Sequence, residues 1–569
     1  MILIELNQLL KKIILKVADE SAISLNQKII EQVEFEISTE KSRGDFATSC
    51  CLKLAKQFKK KPVELAEIIV VHLNDKKIQS IKIEGPGFIN IFITAETKSE
   101  LLKNILIQGD DWGVTKDYSG KILLEFVSSN PTGPLHVGHG RGAVLGMAIA
   151  NLLENIGYKV TKEYYVNDAG RQISILTSSL LLNAYVKSFE SDGTYEGDYI
   201  KELAKTFRTN FGELDKVIDF GQLDEDKDIR LDAISNYFKS EFSHAWKEAK
   251  EFAVKEILNL IKKDLHSFNI IHDHWFSESS LGVVEDNESD LSKSLKALKD
   301  NGYTYAKDGA EWFKTTEFGD DKDRVLLREN KEPTYYLTDV GYHKNKIDRD
   351  FDSYINIFGA DHHGYIPRLS AAFNVMKKEH QSIEFLLYQL VNLYEEGVKK
   401  TMSTRRGEYF SLSDLKDDLG PDVIKFFFLD KKSDHAMDFD MDLAKDESKN
   451  NPYFYAQYAY VRCCSILAKS SFDPTIKIDL NEIANCFEIT SKAINYPLIL
   501  KQYALERSPH SLVHFVKDFS ATFHSFYEKN PVLTDNEIIS NSRLLITSIT
   551  KLILKNSFKI LNVKPLEKM

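Results

Sequence analysis

The clearest fold signal in the sequence is an apolar segment with a turn after it, Lys121-Ile-Leu-Leu-Glu-Phe-Val127 followed by Ser128-Ser-Asn-Pro-Thr-Gly-Pro134. The first segment is an almost continuous apolar run, which is typical of a strand buried on both faces of a parallel sheet. After the turn, the apolar positions between Val144 and Ile156 follow the helical period, and Val160 to Val166 predicts the next strand. Together these segments predict a β-α-β unit that opens a doubly wound α/β domain.

Beyond this unit the pattern changes several times. Asn167-Asp168 is predicted to cap the next helix. Residues 195–265 are charged and helical in pattern, which indicates an insertion. Strand-like segments return at Asp323–Arg328 and Tyr354–Phe358.

The flanks differ from the centre. Residues 47–58 predict a helix, while Ile81–Glu84 and Phe88–Ile93 predict two strands joined by a tight turn. From about residue 450 almost every segment is helical. The prediction is a multidomain α/β protein: an N-terminal α+β domain at 1–110, a Rossmann-type parallel-sheet domain at 111–450 with a helical insertion at about 190–265, and a C-terminal all-α bundle at 451–569.

Composition describes an ordinary globular protein. The chain has 569 residues, of which 43% are hydrophobic and 28% charged, and three or four domains are expected at roughly 150 residues each. No apolar run approaches the ~18 residues of a membrane span. The start lacks a basic leader before an apolar core, so no export signal is expected.

The cysteines and the charge distribution indicate the cellular compartment and the kind of ligand that the protein binds. The five cysteines include two adjacent pairs and form no Cys-x-x-Cys motif. A structural zinc site is therefore not expected, and the chain is predicted to be cytoplasmic with reduced thiols. The net charge of −11 is concentrated in residues 121–450, which suits a cationic small substrate in the centre and nucleic acid at the flanks. Ordinary solvated surface charge is the alternative.

The residues His136-Val-Gly-His139 lie between the buried strand and the helix N-terminus. A helix N-terminus favours bound phosphate, and Gly138 leaves room for a nucleotide to come close. Two imidazoles within one turn can donate hydrogen bonds to charge developing on a phosphate. Two structurally satisfied histidines are the alternative, which the position after a strand and turn disfavours.

The sequence from Glu125 to His139 resembles the HIGH region of class I aminoacyl-tRNA synthetases, in the form found in arginyl-tRNA synthetases. The similarity continues along the whole chain in the family's order. Its further segments are Gly44–Ala47, Gly85–Ile89, Tyr165–Gln172, Trp275–Ser280, Gly359–Gly364, Met402–Arg406, Asp438–Asp442, Asn451–Gln457 and Pro565–Met569. The resemblance implies that the Rossmann-type domain is catalytic and that the activity is arginine–tRNA ligation.

The resemblance also implies an arginine pocket. Arginine carries a planar fork of donors, so its pocket needs carboxylates in a fixed plane. By similarity, Asp339 and Glu278 take the guanidinium, Tyr335 lines the aliphatic stem, and Glu125 and Asn130 hold the amino-acid end. Uncharged amino acids would leave buried carboxylates unpaired and be rejected. For each acid taken singly, a surface salt bridge or a helix cap is the alternative.

ATP, accompanied by Mg²⁺, is the second implied substrate, although the sequence shows no metal-ligand cluster. In the implied reaction the arginine carboxylate attacks the α-phosphorus, and a hydroxyl of the 3′-terminal adenosine of tRNA(Arg), by class the 2′-hydroxyl, then attacks the adenylate. Positioning and charge stabilisation suffice, so no side chain must act as nucleophile. The residues matched to ATP binding are His136, Gly138, His139, Gly359, Asp361, His362, Met402 and Ser403, of which the two histidines are also matched to catalysis.

One segment departs from the family. The second signature normally has lysine before and after its Met-Ser, but Lys399-Lys-Thr-Met-Ser-Thr-Arg-Arg406, within the loop 399–407, has threonine at both places. A mobile loop facing a triphosphate needs cations. Lys400 and Arg405, or the basic residues beside them, are therefore the hypothesised catalytic replacements. A basic surface turn is the alternative.

The remaining expectations concern tRNA. By resemblance the bundle binds the anticodon and the N-terminal domain contacts the tRNA elbow, with Lys53–Lys61 as candidate phosphate contacts. Aromatic rings near Phe523 could stack on bases, but core packing is the favoured interpretation. A monomer that contacts no membrane is expected. Two alternatives stay open: a small nucleotidylyltransferase, which the chain length disfavours, and a non-catalytic paralogue that binds tRNA or senses arginine.

Overall fold

The computed structural model describes residues 2–38, 40–400 and 410–569. The N-terminal part packs helices against an antiparallel sheet of order β1-β2-β4-β3. Its elements are α1 (Ile2–Glu20), α2 (Gln27–Glu31), β1 (Glu36–Ile37), β2 (Phe46–Thr48), α3 (Cys50–Phe58), α4 (Pro62–His72), β3 (Ile78–Glu84), β4 (Phe88–Ile93) and α5 (Ala95–Gln108).

The helix predicted over 47–58 begins later, at Cys50, and the prediction is wrong for its first residues. Phe46 and Thr48 are buried and pair with β4, so this segment is extended. The hydroxyl of Thr48 accepts a hydrogen bond from the N–H of Cys50 at 3.1 Å, which satisfies a free amide of the first helical turn. The two strands predicted at 81–84 and 88–93 are present as β3 and β4.

The central domain alternates strands and helices. Its first half contains β5 (Lys121–Glu125), α6 (Val137–Asn155), β6 (Lys159–Val166), α7 (Gly170–Tyr185), α8 (Asp198–Phe211), α9 (Lys227–Glu241), α10 (Ser243–Ser267) and β7 (His274–Ser277). The expected β-α-β unit is β5-α6-β6, and the helical insertion corresponds to α8, α9 and α10. The capping prediction is wrong: the N-cap of α7 is Ala169, with no side-chain bond, because Asp168 binds elsewhere.

The second half of the domain completes the sheet and adds two small ones. It contains α11 (Asp290–Asp300), β8 (Thr304–Lys307), β9 (Ala310–Phe313), β10 (Arg324–Leu327), α12 (Tyr335–Asp348), β11 (Ser353–Gly359), α13 (Ile366–Met376), β12 (Ser382–Tyr388), β13 (Val391–Glu395), β14 (Val398–Lys399), α14 (Leu412–Leu419), α15 (Pro421–Leu429), β15 (Met437–Asp440) and α16 (Met441–Lys445). The strand predicted at 323–328 is β10, which pairs with β9 in a separate antiparallel sheet.

The main sheet has five parallel strands in the order β12-β11-β5-β6-β7. The chain builds outward from β5 to β7 on one side and then returns to place β11 on the other. The strand order therefore reverses between β5 and β11, and ligands of open α/β sheets bind at the carboxyl ends of the strands at such a point. Glu125 ends β5 and Gly359 ends β11, so both lie at this edge.

The C-terminal part is helical, with α17 (Pro452–Leu467), α18 (Leu480–Asn485), α19 (Phe487–Leu505), α20 (Pro509–Lys529) and α21 (Glu537–Ile560). Phe523 and Phe526 are buried, which confirms that these rings belong to the core. The bundle contacts the start of the central domain, where Trp112 Nε1 donates a hydrogen bond to the carbonyl of Ala493 at 3.0 Å. None of the described helices is both long and apolar enough to cross a bilayer.

Candidate functional site

Two histidines begin α6, after the turn that follows β5. His136 is the N-cap, and its Nδ1 accepts a hydrogen bond from the N–H of His139 at 3.3 Å. The two rings stack with centroids 3.6 Å apart. Burial lowers the pKa of His136, and burial together with His136 lowers the pKa of His139 to about 3. Both imidazoles are therefore neutral near pH 7 and can each donate one N–H.

The same turn combines a closely packed glycine with an unpaired imidazole nitrogen. A Cβ on Gly138 would lie 2.9 Å from Cε1 of His136, so a side chain at this position would push against the ring. Nδ1 of His139 is buried and has no hydrogen-bond partner in the described part of the chain. Buried polar atoms are normally satisfied, so an unpaired imidazole atom beside helix amides indicates a bound anion such as phosphate.

A cavity of about 1110 Å³, here called the histidine cavity, opens beside these rings. Its lining includes Asn130, His136, His139, Arg171, Gln172 and Tyr335. Asn130 donates its amide to Oε1 of Gln172 at 3.1 Å. Tyr335, the first residue of α12, is 64% exposed and forms part of the wall. The structure thus brings together the two histidines with two of the residues predicted to bind arginine.

Glu278, also predicted for the arginine pocket, directly follows β7. The hydroxyl of Tyr165 donates to its Oε2 at 2.7 Å. Asp168 fixes the backbone around it: its carboxylate accepts hydrogen bonds from the hydroxyl of Ser277 at 2.5 Å and from the N–H of Ser279 at 2.9 Å. Burial raises the pKa of Glu278, the Tyr165 hydroxyl opposes this shift, and Asp168 adds to it. Asp168 therefore holds the residues on both sides of Glu278.

Glu125 is buried at the end of β5 and is already engaged. It forms an ion pair with the buried Lys346 and accepts a hydrogen bond from the hydroxyl of Tyr342 at 3.1 Å. Ser128 donates to its other oxygen at 3.0 Å. The same Tyr342 hydroxyl lies 2.7 Å from Oε1 of Glu163. Tyr342 therefore bridges two buried carboxylates and restricts where Glu125 can point.

Glu163 is the second carboxylate of this buried network. Burial opposes its ionisation, but the hydrogen bonds and charge of Arg349, the charge of Lys346 and the Tyr342 hydroxyl together outweigh that cost and bring the pKa of Glu163 to about 2. Arg349 donates to Oε1 at 2.9 Å and also contacts the other oxygen. Each buried carboxylate thus has its own cation, which satisfies the requirement for burying charge.

Asp339 lies one turn beyond Tyr335 on α12 and has no such cation. Its carboxylate makes no hydrogen bond or ion pair within the described residues. Burial raises its pKa to about 7, and the neighbouring charges of Glu278 and Glu125 contribute to the rise. Burial and the same three carboxylates also raise the pKa of Tyr165. Glu125, Glu278 and Asp339 therefore form one cluster around Tyr165, which is suited to a cation with several donors.

Several of these residues were missed from the sequence. The unrecognised ones are Tyr165, Asp168, Gln172, Tyr342, Lys346 and Arg349. A signal existed, because Tyr335, Asp339, Tyr342, Lys346 and Arg349 follow a 4-3-4-3 spacing that places them on one face of a helix. Because this helix face is polar, hydrophobic periodicity does not reveal it.

The predicted nucleotide residues of β11 lie at the neighbouring strand end. Gly359 closes the strand, and a Cβ there would lie 2.5 Å from Oδ1 of Asp361. The side chains of Asp361 and His362 are exposed by 71% and 56%, and Nε2 of His362 lies 3.6 Å from Oδ2 of Asp361. They do not line the histidine cavity but border the same edge of the sheet, across the switch point from Glu125.

The loop hypothesis is only partly covered by the structure. Lys400 forms an ion pair with Glu395 at 2.8 Å, and Lys445 reaches the same carboxylate at 2.9 Å. Met402, Ser403 and Arg405 lie outside the described residues. The described residues contain no group of three or more His, Cys, Asp or Glu side chains that could hold a metal ion.

Family models match almost the whole chain. Residues 5–93 match the arginyl tRNA synthetase N terminal domain, residues 101–437 the catalytic domain of tRNA synthetases class I (R), and residues 456–569 the DALR anticodon binding domain. The parallel sheet, its switch point and the histidine-bearing helix N-terminus thus belong to a class I aminoacyl-tRNA synthetase.

Individual relatives narrow this class. The chain is 40% identical over 547 residues to the arginine–tRNA ligase of Vesicomyosocius okutanii, covering 94% of each chain. It is 37% identical over 586 residues to that of Legionella pneumophila strain Paris, covering 99% of this chain and 98% of the other. The chain belongs to the arginyl-tRNA synthetase family.

Solved structures agree with this assignment. A putative arginyl-tRNA synthetase from Campylobacter jejuni superposes with a TM-score of 0.70 at 30% identity, covering 84% of this chain and 100% of that one. The Thermus thermophilus arginyl-tRNA synthetase gives a TM-score of 0.75 at 20% identity, with all of both chains covered. At that identity the second match shows a shared fold.

Proposed function

We propose that this enzyme condenses L-arginine with ATP to form arginyl-adenylate and pyrophosphate. It then transfers the arginyl group to the 3′-terminal adenosine of tRNA(Arg) and releases AMP. The observation that carries the proposal is the cluster of Glu125, Glu278 and Asp339 next to the histidine cavity. Among the described residues no cation lies within 4.0 Å of the Asp339 carboxylate, and the charge of Arg368 only partly offsets the effect of burial and of the neighbouring carboxylates. A guanidinium would supply the positive charge that the cluster lacks. The comparisons do not favour the non-catalytic alternative.

Each arginine contact has a structural argument. Asp339 and Glu278 would take the guanidinium, because both carboxylates have pKa values raised by burial and gain from a cation. Tyr335 would cover the aliphatic stem, since its exposed ring forms a wall of the cavity. Glu125 and Asn130 would hold the amino-acid end. Glu125 is kept in place for this by Tyr342 and Lys346.

ATP would bind across the switch point. His136 and His139 would donate hydrogen bonds to phosphate oxygens as neutral rings, together with the first amides of α6. Gly138 would keep the approach open, and Gly359, Asp361 and His362 would contact the adenosine. The arginine carboxylate would attack the α-phosphorus in line, so that the protein supplies position and charge stabilisation only.

Further components of the reaction remain proposals. Mg²⁺ would arrive with the nucleotide, bound through phosphate oxygens, and Met402, Ser403, Arg405 and Lys400 would act from the loop 399–407. Lys400 must then leave Glu395 to reach a phosphate. The bundle at 451–569 would read the anticodon and the domain at 1–110 would contact the tRNA elbow. We propose a cytoplasmic monomer with the catalytic domain at 111–450.

The test is arginine-dependent exchange of pyrophosphate into ATP, measured with and without tRNA(Arg), followed by arginine transfer to the tRNA. The proposal expects both reactions with arginine and neither with citrulline, which is similar in shape but carries no charge. Failure of the wild-type enzyme to attach arginine to tRNA(Arg) would contradict it. Equal activity with citrulline would remove the role of the carboxylate cluster.

A further inference from the structure

The outer face of α10 forms a groove that is connected to the histidine cavity. A cavity of about 590 Å³ runs along this helix and is lined by four lysines and one acid of the helix, with Asp168 and Ser279 at the sheet edge. The helix residues are Lys247, Lys250, Lys255, Lys262 and Glu251, so the lysines outnumber the acids of the lining by four to two. An adjoining cavity of about 500 Å³ shares Lys250 with it and Arg171 with the histidine cavity. The three spaces therefore adjoin one another in a row from the histidines to the helical insertion.

The lysines of this groove carry uncompensated charge. Throughout the described ranges, no acidic side chain lies within 4.0 Å of the ammonium group of any of the four lysines. Lys262 instead lies 4.7 Å above the ring of Trp275. Arg171 differs, because Asp228 and Asp232 hold it at 3.1 and 2.8 Å. In a chain with a net charge of −11, a row of unpaired lysines marks a surface for an anion.

The opposite face of α10 explains why these lysines line up. Ala249, Ala253, Ile257 and Ile261 are buried against the protein at intervals of four residues. The groove face consequently repeats with the same period. From Lys250 to Lys262 the helix rises about 18 Å at ~1.5 Å per residue. Val254 and Leu258 lie between the lysines, so the groove offers apolar surface as well as positive charge.

Alternating cationic and apolar contacts are the chemistry that single-stranded nucleic acid requires, since the backbone is anionic and each base has an apolar face. A small anion such as free phosphate would not use a path of this length. Given the proposed function, a polynucleotide must also deliver its terminal ribose to the histidine cavity, with which this groove is continuous.

We propose that the α10 groove binds the backbone of the single-stranded 3′ end of tRNA and guides it into the histidine cavity. This inference rests on the proposed function. Lys250, at the junction of the two smaller cavities, contacts the phosphates nearest the terminal adenosine. Lys255 and Lys262 contact phosphates further from it.

The experiment compares the Lys250→Ala, Lys255→Ala double variant with a control double variant, Lys205→Ala, Lys263→Ala. The control lysines belong to the same insertion but do not line the groove. Dissociation constants are measured for two tRNA(Arg) transcripts, one complete and one lacking its four 3′-terminal nucleotides, over a range of salt concentrations. Thermal unfolding midpoints are recorded for all proteins and are expected to match the wild type.

For the complete transcript, the groove variant should bind about tenfold more weakly, and the slope of log Kd against log salt should fall by about 1.4, at ~0.7 per lost single-strand contact. The truncated transcript should bind the groove variant and the wild type equally. The control variant should behave as wild type with both. Equal weakening with both transcripts, or none with either, would overturn the inference. If the wild type fails to arginylate tRNA, the proposed function itself fails.

Discussion

Arginine binding should depend on the ionisation of Asp339, and the structure gives the sign and size of the effect. Burial, with help from Glu278 and Glu125, raises the pKa of this carboxyl to about 7. A guanidinium binds the ionised form, so binding below this pH must first release a proton. The arginine dissociation constant should rise about tenfold for each pH unit below 7, or about 1.4 kcal/mol per unit, and level off above pH 8.

The assay is isothermal titration calorimetry in buffers of different ionisation enthalpy. About half a proton should be released per arginine bound at pH 7, and close to one at pH 6. The Asp339→Asn variant should bind arginine far more weakly and lose this release between pH 6 and 8. A wild-type dissociation constant that stays constant from pH 5.5 to 8 would show that Asp339 does not control arginine binding, as would an unchanged pH slope in the variant.

As the pH rises, arginine affinity should increase, whereas the folding stability of the unliganded protein should decrease. A carboxyl whose pKa is raised on folding binds its proton more tightly in the native state, so the unliganded protein loses stability as pH rises from about 4 to 7. For Asp339 the loss amounts to between about 1 and 4 kcal/mol. Asp339→Asn should therefore raise the unfolding midpoint of the unliganded protein at pH 8 and abolish the stabilisation by arginine. An unchanged or lower midpoint would contradict this account.

Three further variants test the supporting residues. Asp168→Ala frees the backbone on both sides of Glu278, so KM for arginine should rise several-fold while KM for ATP stays constant; equal effects on both would show a general loss of structure. Tyr342→Phe removes a hydroxyl from two buried carboxylates, and should cost about 1 to 2 kcal/mol of stability and weaken arginine binding. Wild-type affinity in a protein of lowered stability would limit Tyr342 to a structural role. Replacing Lys400 and Arg405 together by alanine should lower pyrophosphate exchange at least tenfold with KM for arginine unchanged, and a wild-type rate would refute the loop hypothesis.

The sequence specified the elements better than their arrangement. The β5-α6-β6 unit follows directly from an apolar run, a turn and a helical period. Strand order cannot be obtained in this way, because hydrophobic patterns do not show that β11 pairs with β5. For the same reason β10 was predicted as a strand, while its membership of a separate sheet was not.

At the site, the residues expected to contact arginine could be predicted from the sequence, whereas the residues that support them could not. Glu125, Asn130, Glu278, Tyr335 and Asp339 were identified by resemblance, and the structure places them at one edge of the sheet. The residues that hold them were not identified, because each acts through contacts distant in sequence. Lys346 reaches a carboxylate 221 positions away. Asp168 was read as a local helix cap, which is the commoner use of such a residue, whereas its partners lie more than 100 positions further along the chain.

A crystal structure of the enzyme with bound arginine shows whether the carboxylate cluster holds the guanidinium. The guanidinium nitrogens are expected within about 3 Å of the carboxylates of Asp339 and Glu278, with the arginine carboxylate directed toward His136 and His139. A guanidinium bound away from both carboxylates, or an arginine molecule away from the carboxyl ends of β5, β6 and β7, would contradict this binding mode.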